Sequence, residues 1–259
     1  MTNVMRLRVL GTLAVAAALA LSPGSAPAAN AHQPMPYTCT GGEIPSGTYA
    51  SIMVTGVCSV PAGAVIKVAG NVNVAAGAVL DAQSAPSTIT VGHNVTGRAG
   101  SFVGLGCQPP SYTGNSGHEC AVEPEGQSTI SVRGNITVTD AKAVLLNCVT
   151  VNGNVTLLGG GSDIPWSIKN NTIRGNLTIA GQKTEWLGVL FNTIKRNAIL
   201  THIAVTDVHP GAPGVYIVRN TVGRNLICWG LTPGVSGGFV PGSVNVVGHK
   251  ALGQCAALV

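Results

Sequence analysis

Residues 171–200 read NTIRGNLTIAGQKTEWLGVLFNTIKRNAIL and contain the clearest internal repeat of the chain. The pattern Asn-Thr-Ile-x-x-Asn begins at Asn171 and begins again at Asn192. A fixed spacing of about 20 or more residues is typical of chains that stack repeated units instead of folding around one globular core. The spacing therefore predicts a solenoid.

The second asparagine of this pattern recurs along most of the chain. It is followed by an apolar residue, a small or polar residue and usually another apolar residue. Most members follow one another after about 20 residues, the length of one solenoid turn. The step from Asn94 to Asn135 is nearly two periods and spans an insertion between Cys107 and Cys120. The repeat begins at Asn71, Asn94, Asn135, Asn154, Asn176, Asn197 and Asn225.

Alternation of apolar and polar residues after each asparagine predicts a short strand with one buried and one solvated face. The outward positions Thr96, Thr137, Thr156 and Thr178 should form a column on one face. Glycine interrupts every helical spacing, and the even, closely spaced strands with hairpin turns that a β-sandwich requires are missing. We therefore predict an all-β parallel solenoid with about 20–22 residues per turn, adjacent turns lying about 4.8 Å apart.

Asparagine at each bend has a physical reason. It tolerates the left-handed backbone conformation, and its amide can hydrogen-bond to the equivalent amide one turn away. We expect a structural asparagine ladder at Asn135, Asn154, Asn176, Asn197 and Asn225.

Residues 1–31 have the features of a signal peptide: Arg6 and Arg8, then the apolar run of residues 9–21, then small residues. We expect a single domain over residues 32–259, with a loop insertion near 104–127. No later apolar stretch reaches the length of about 20 residues needed to span a bilayer. The prediction is a protein that is secreted, extracellular or associated with the cell wall, with no membrane span.

The charge of the mature chain is small. Fourteen Lys and Arg residues fall to twelve when the leader is removed, and against nine acids they leave +3. This is too weak to favour nucleic acid as a partner. We expect a monomer with no cofactor.

Seven cysteines in an exported chain indicate disulfides. Local pairing predicts three bridges and leaves Cys148 unpaired in a strand-like run. The predicted pairs are Cys39 with Cys58, Cys107 with Cys120, and Cys228 with Cys255.

The opening Cys39-Thr40-Gly41-Gly42, the Gly-Asn-Val repeats and the closing Gly253-Gln254-Cys255 resemble a known group of proteins. These are the secreted bacterial right-handed parallel β-helix proteins of the pectin-lyase-like class. The resemblance covers most of the mature chain and implies a single right-handed β-helix. It implies no particular activity, because members with this pattern generally have no assigned function.

Four acids, Asp140, Asp163, Glu185 and Asp207, follow one another at intervals close to one turn each. Enzymes that resemble this architecture place acids on neighbouring turns, to hold calcium or to act on a sugar bond. The last three are the candidate catalytic residues, and calcium is the ion that they could hold. The alternative is exposed corner acids, since the offsets from the preceding repeat asparagine differ. No Cys-x-x-Cys or His-x-x-x-His spacing indicates a metal site.

Trp166 and Trp186 are one period apart beside two of these acids and are candidate platforms for stacking on sugars. The alternative is that each tryptophan packs beneath a loop. Our leading hypothesis is a non-catalytic surface scaffold or weak glycan binder for extracellular or cell-wall polysaccharide. The alternative is a polysaccharide lyase or glycoside hydrolase, which would need two of the acids to converge with a base such as Arg174, Lys195 or Arg196.

Overall fold

The structure is a computed structural model that describes residues 33–110, 117–207, 213–239 and 244–259. The predicted signal peptide, residues 1–31, lies outside the described residues, as does the 111–116 part of the predicted insertion.

The described residues form 29 short strands and a 3₁₀ helix at the carboxyl end. The first ten strands are β1 Met35–Cys39, β2 Gly42–Glu43, β3 Gly47–Val54, β4 Val57–Ser59, β5 Val65–Val68, β6 Val72–Val74, β7 Val79–Ala82, β8 Thr88–Val91, β9 Val95–Gly97 and β10 Phe102–Leu105. The next ten are β11 Thr129–Val132, β12 Ile136–Thr139, β13 Ala143–Asn147, β14 Val149–Val151, β15 Val155–Leu158, β16 Trp166–Lys169, β17 Thr172–Ile173, β18 Leu177–Ala180, β19 Lys183–Thr184 and β20 Leu187–Leu190. The rest are β21 Thr193–Ile194, β22 Ala198–Thr201, β23 Ala204–Val205, β24 Val215–Val218, β25 Thr221–Val222, β26 Leu226–Trp229, β27 Val235–Ser236, β28 Val246–Val247, β29 Ala251–Gly253 and the helix Gln254–Leu258.

The strands stack in parallel. An open 18-stranded sheet contains two stacks, a nine-stranded sheet contains a third, and β19 pairs with β23 in a small separate sheet. The first stack runs through β5, β8, β11, β14, β17, β21, β25 and β28, and the second through β6, β9, β12, β15, β18, β22, β26 and β29. The third, the nine-stranded sheet, runs through β2, β4, β7, β10, β13, β16, β20, β24 and β27. The prediction of an all-β, parallel fold is confirmed, and the architecture is consistent with a β-solenoid.

Each turn pairs with the next at the predicted spacing. Thr137 lies opposite Thr156, and Thr156 lies opposite Thr178, so the predicted threonine column is present. Thr96 pairs directly with Thr137. The long step that precedes Thr137 is therefore one turn and not nearly two, because the added residues leave the stack as a loop.

The interior is filled by the apolar residue of each alternating pair. Strands such as β12 and β15 bury every second side chain, and the buried valines, isoleucines and leucines form one continuous core. Trp166 belongs to this core: it is fully buried, and its indole N–H donates to the carbonyl of Lys142 at 3.0 Å.

The predicted asparagine ladder lies at the bend between the first and second stacks. The Asn176 side-chain amide donates to the Asn154 side-chain oxygen at 3.2 Å, and the Asn197 amide donates to Asn176 at 3.0 Å. The ladder is half-buried or exposed. Its asparagines run from Asn71 and Asn94 through Asn135, Asn154, Asn176 and Asn197 to Asn225.

A second, fully buried ladder lies at the bend between the third and first stacks, and the sequence reasoning did not recognise it as a ladder. The Asn171 amide donates to the Asn192 oxygen at 3.0 Å, Asn192 to Asn220 at 2.9 Å, and Asn220 to Asn245 at 2.9 Å. Residues with left-handed backbone angles immediately precede three of these asparagines, namely Asn170, Phe191 and Arg219. The buried amides fix a sharp bend that non-glycine residues adopt only with strain.

The three predicted cysteine pairs are bonded, which confirms the assignment. Cys148 is the free cysteine among the described residues, and it is half-buried. It stands at a bend with φ 58°, next to the strand β13 and not within it. The described residues contain no helix that is long and apolar enough to cross a membrane.

Candidate functional site

The nine-stranded sheet is buried on both faces over its middle strands. Every residue of β13, β20 and β24 is buried, whereas strands of the 18-stranded sheet expose alternate side chains. Parts of the chain outside the stacks must therefore cover the outer face of this sheet. This covered face contains the strongest concentration of aromatic and perturbed titratable groups in the described chain.

A glycine makes room for an aromatic ring on that face. Gly188 pairs with Ser167 on one side and Tyr216 on the other. A Cβ atom at Gly188 would lie 2.1 Å from the Cη2 atom of Trp186, so the indole rests directly against the backbone of β20. No side chain larger than hydrogen fits under the ring as it is placed.

Three aromatic rings meet here and form what we call the aromatic cluster: Trp186, Tyr216 and Phe239. The ring centroids of Trp186 and Tyr216 are 5.3 Å apart, and those of Tyr216 and Phe239 are 5.9 Å apart. Phe239 is 58% exposed and Trp186 is half-buried, whereas Tyr216 is buried, so only part of the cluster reaches solvent. The Nζ atom of Lys169 lies 5.7 Å from the Trp186 ring centroid, within cation–π range.

Burial changes the titration of the groups around the cluster. The pKa of Lys169 is lowered because its ammonium is partly removed from water. The pKa of Tyr216 is raised by burial and, secondarily, by the negative charge of Asp207. A cation held away from water beside aromatic rings is a strong partner for an anionic or hydroxyl-rich ligand.

The insertion contributes a histidine to the same face. The Nε2 atom of His118 contacts the side-chain oxygen of Gln83, and the main-chain N–H of Gln108 donates to the His118 carbonyl at 2.8 Å. Burial lowers the pKa of His118 to about 4, the charge of Lys169 acts in the same direction, and Asp81 opposes both effects. The imidazole is therefore neutral at physiological pH.

Three of the four predicted acids occupy stacked main-chain positions at one corner of the solenoid. The main-chain N–H of Glu185 donates to the carbonyl of Ser162, beside Asp163, and the N–H of Asp207 donates to the Glu185 carbonyl at 2.8 Å. All three acids are exposed, on neighbouring turns. Within the described ranges, no group of three or more His, Cys, Asp or Glu side chains could hold a metal ion.

The fourth acid, Asp140, is not part of this group. It stands at a corner with φ 52°, and a Cβ at Gly159 on the next turn would meet its Oδ1 atom at 2.0 Å. Asp140 therefore stacks on glycine and not on Asp163, because the extra residues 159–162 shift the register of the corner.

The bases expected to join the acids lie elsewhere. Arg174, Lys195 and Arg196 occupy the bend between the first and second stacks, and the acids follow the second stack. A four-residue strand, roughly 13 Å long, separates the two corners. Lys169 is the basic residue beside the aromatic cluster, and no sequence signal indicated it.

The two tryptophan candidates have different outcomes. Trp166 as a sugar platform is wrong, because its side chain points into the core and is fully buried. Trp186 is in the aromatic cluster. Sequence reasoning missed Tyr216, although strand alternation in Val215–Val218 puts it on the face opposite Val215 and Ile217, which belong to the main core.

No protein-family model, no curated protein and no solved structure matches this chain.

Proposed function

We propose that this chain is a secreted, non-catalytic β-solenoid that binds extracellular or cell-wall polysaccharide at the aromatic cluster. In this proposal residues 1–31 are removed on export, and the domain of residues 32–259 is a single right-handed parallel β-helix of the pectin-lyase-like class. The three disulfides fit an extracellular protein.

The contact of Trp186 with Gly188, Tyr216 and Lys169 carries this proposal. Sugar rings present apolar C–H faces that stack on accessible aromatic rings such as the half-buried indole of Trp186, and their hydroxyls accept hydrogen bonds from an ammonium group. The Gly188 position lets the Trp186 ring lie against the sheet, which supports the ring from below. A rigid, partly exposed aromatic surface of this kind loses little entropy on binding.

Binding to insoluble cellulose, chitin and peptidoglycan, followed by affinity measurement on the best of the three, tests the proposal. Trp186→Ala should weaken binding by about tenfold, since aromatic contacts of this size contribute about 1.5 kcal/mol. Trp229→Ala is the matched control, because Trp229 is 55% exposed on a different strand stack. Equal effects of both variants, or binding to none of the polysaccharides, would refute the assignment.

One observation favours the alternative of a lyase or hydrolase. Lys169 stands beside the aromatic cluster, near Glu185 and Asp207, and a lysine whose pKa is lowered by burial gives up its proton more readily than an exposed one, as a general base requires. Cleavage is measured as unsaturated products for a lyase and as new reducing ends for a hydrolase. Loss of cleavage in Lys169→Met with binding retained would establish this second function.

A further inference from the structure

Half of the basic residues of the mature chain lie in one set of bends. These bends connect the first and second stacks and end at or beside a ladder asparagine. Six of the twelve Lys and Arg residues after residue 32 are in them, all exposed, and none of these described bends contains Asp or Glu. The six are Arg133, Arg174, Lys195, Arg196, Arg224 and Lys250.

The stacking brings five of these residues together as a band in adjacent columns on four neighbouring turns. Ile173 pairs with Ile194, so Lys195 follows directly above Arg174. The main-chain N–H of Arg224 donates to the Arg196 carbonyl at 3.1 Å, and Lys250 stands in the bend of the next turn. At about 4.8 Å per turn, the band from Arg174 to Lys250 is roughly 14 Å long. We call these five residues the basic ridge: Arg174, Lys195, Arg196, Arg224 and Lys250.

The acids cannot neutralise the basic ridge within the protein. Asp163, Glu185 and Asp207 lie beyond the second stack, a strand length away. Like charges on adjacent strands repel one another, so the folded chain keeps these cations together against their mutual repulsion. A linear ligand with repeated negative charges would relieve that repulsion along the whole ridge.

Uncharged hydroxyl groups flank the ridge on both sides. Thr172, Thr193 and Thr221 pair in register along the first stack. Thr156 and Thr178 pair along the second. Their side chains are half-buried or exposed, so their hydroxyls can bond to the hydroxyls of a carbohydrate.

We propose that the basic ridge binds a linear acidic polysaccharide, whose negative groups lie along the band of cations. Arginine holds carboxylate and sulfate groups through paired hydrogen bonds, which favours this partner. Nucleic acid fits less well, because the described bends offer no aromatic ring on which a base could stack. The ridge is separate from the aromatic cluster and does not depend on the function proposed for that cluster.

Fluorescence anisotropy with a labelled heparin oligosaccharide tests the proposal on the mature, disulfide-bonded chain. The variant Arg174→Gln/Arg196→Gln/Arg224→Gln should bind heparin about tenfold more weakly at 0.15 M salt, and its affinity should depend less on salt. The control Lys67→Gln/Lys142→Gln/Lys183→Gln removes the same net charge from exposed sites outside the ridge and should change affinity less than twofold.

Two further variants keep the result interpretable. Arg174→Lys/Arg196→Lys/Arg224→Lys preserves the charge and should retain most of the binding, which separates loss of charge from loss of folding. Trp186→Ala should leave heparin affinity unchanged, so failure at the aromatic cluster is distinguishable from failure here. The proposal is wrong if both charge-removing variants weaken binding equally, if a single-stranded DNA of equal charge binds as tightly as heparin, or if the parent does not bind heparin at 0.05 M salt.

Discussion

Asn192→Ala removes one side chain from the middle of the buried ladder. In the parent, the Asn192 amide donates to the Ile168 carbonyl at 2.8 Å and to the Asn220 oxygen at 2.9 Å. Its own oxygen accepts from the main-chain N–H and the side-chain amide of Asn171, both at 3.0 Å. The side chain is 1% exposed, so water cannot replace these bonds without opening the bend.

The expected loss of stability follows from what is left unpaired. Alanine deprives the Asn171 N–H and the Ile168 carbonyl of these partners in the interior, and each unsatisfied buried group costs about 1–3 kcal/mol. We expect Asn192→Ala to lower the free energy of unfolding by about 3–5 kcal/mol. Asn176→Ala, in the half-exposed ladder, should cost about 1–2 kcal/mol, because water reaches its partners.

Urea unfolding of both variants beside the parent measures the difference, compared by midpoint at unchanged slope. Asn192→Asp is a useful second variant, since it keeps the size of the side chain and removes the donor to Ile168. It should be destabilised at neutral pH and recover partly in acid, where the carboxyl is protonated. The reasoning fails if Asn176→Ala is the more damaging change, or if Asn192→Asp is as stable as the parent at neutral pH.

Three further outcomes are expected. Gly188→Ala should displace the Trp186 ring and shift its fluorescence, whereas Gly104→Ala, which clashes with other side chains, should leave that emission unchanged. Identical spectra for the parent and Gly188→Ala would contradict the contact between Gly188 and Trp186. Peptide mapping without reduction should recover the three predicted bridges and a Cys148 that an alkylating reagent modifies, and a bridge containing Cys148 would overturn the pairing. The pKa of His118 is lower in the folded state, so the unfolded state binds more protons between pH 6.5 and about 4. The free energy of unfolding should therefore fall by up to about 3 kcal/mol as pH drops through that window. His118→Gln should reduce this fall, and equal pH profiles for parent and variant would refute the role of His118.

The repeat was predictable because every turn of a solenoid places the same residue types at the same positions, so the turn length appears as a period in the sequence. The Asn-apolar-x-apolar unit indicates the strands, their faces and the half-exposed ladder. The buried ladder was harder to predict, although Asn171, Asn192 and Asn220 were visible as a second signature. Its last member, Asn245, is not followed by Thr as the others are. An asparagine in the sequence also does not show by itself whether its bend is buried or exposed.

The site was less predictable than the fold. Trp186 stood out by its spacing, but Trp166 has the same spacing and faces the core. Which outward residues of the nine-stranded sheet are covered depends on loops that do not repeat. The pKa values of Lys169 and His118 are lowered because they are buried under such loops, so no periodicity in the sequence could indicate them.

The long turn that contains the insertion shows how such a chain can change without refolding. Its added residues leave the stack between β10 and β11, yet Thr96 still pairs with Thr137 as if they were absent. Since each turn contacts only its neighbours, the length of a loop inserted between two strands does not change how the strands pair. This loop could therefore be replaced, in evolution or by design, with another of different length and composition. The scaffold would hold its shape while the surface above the nine-stranded sheet acquired a different specificity.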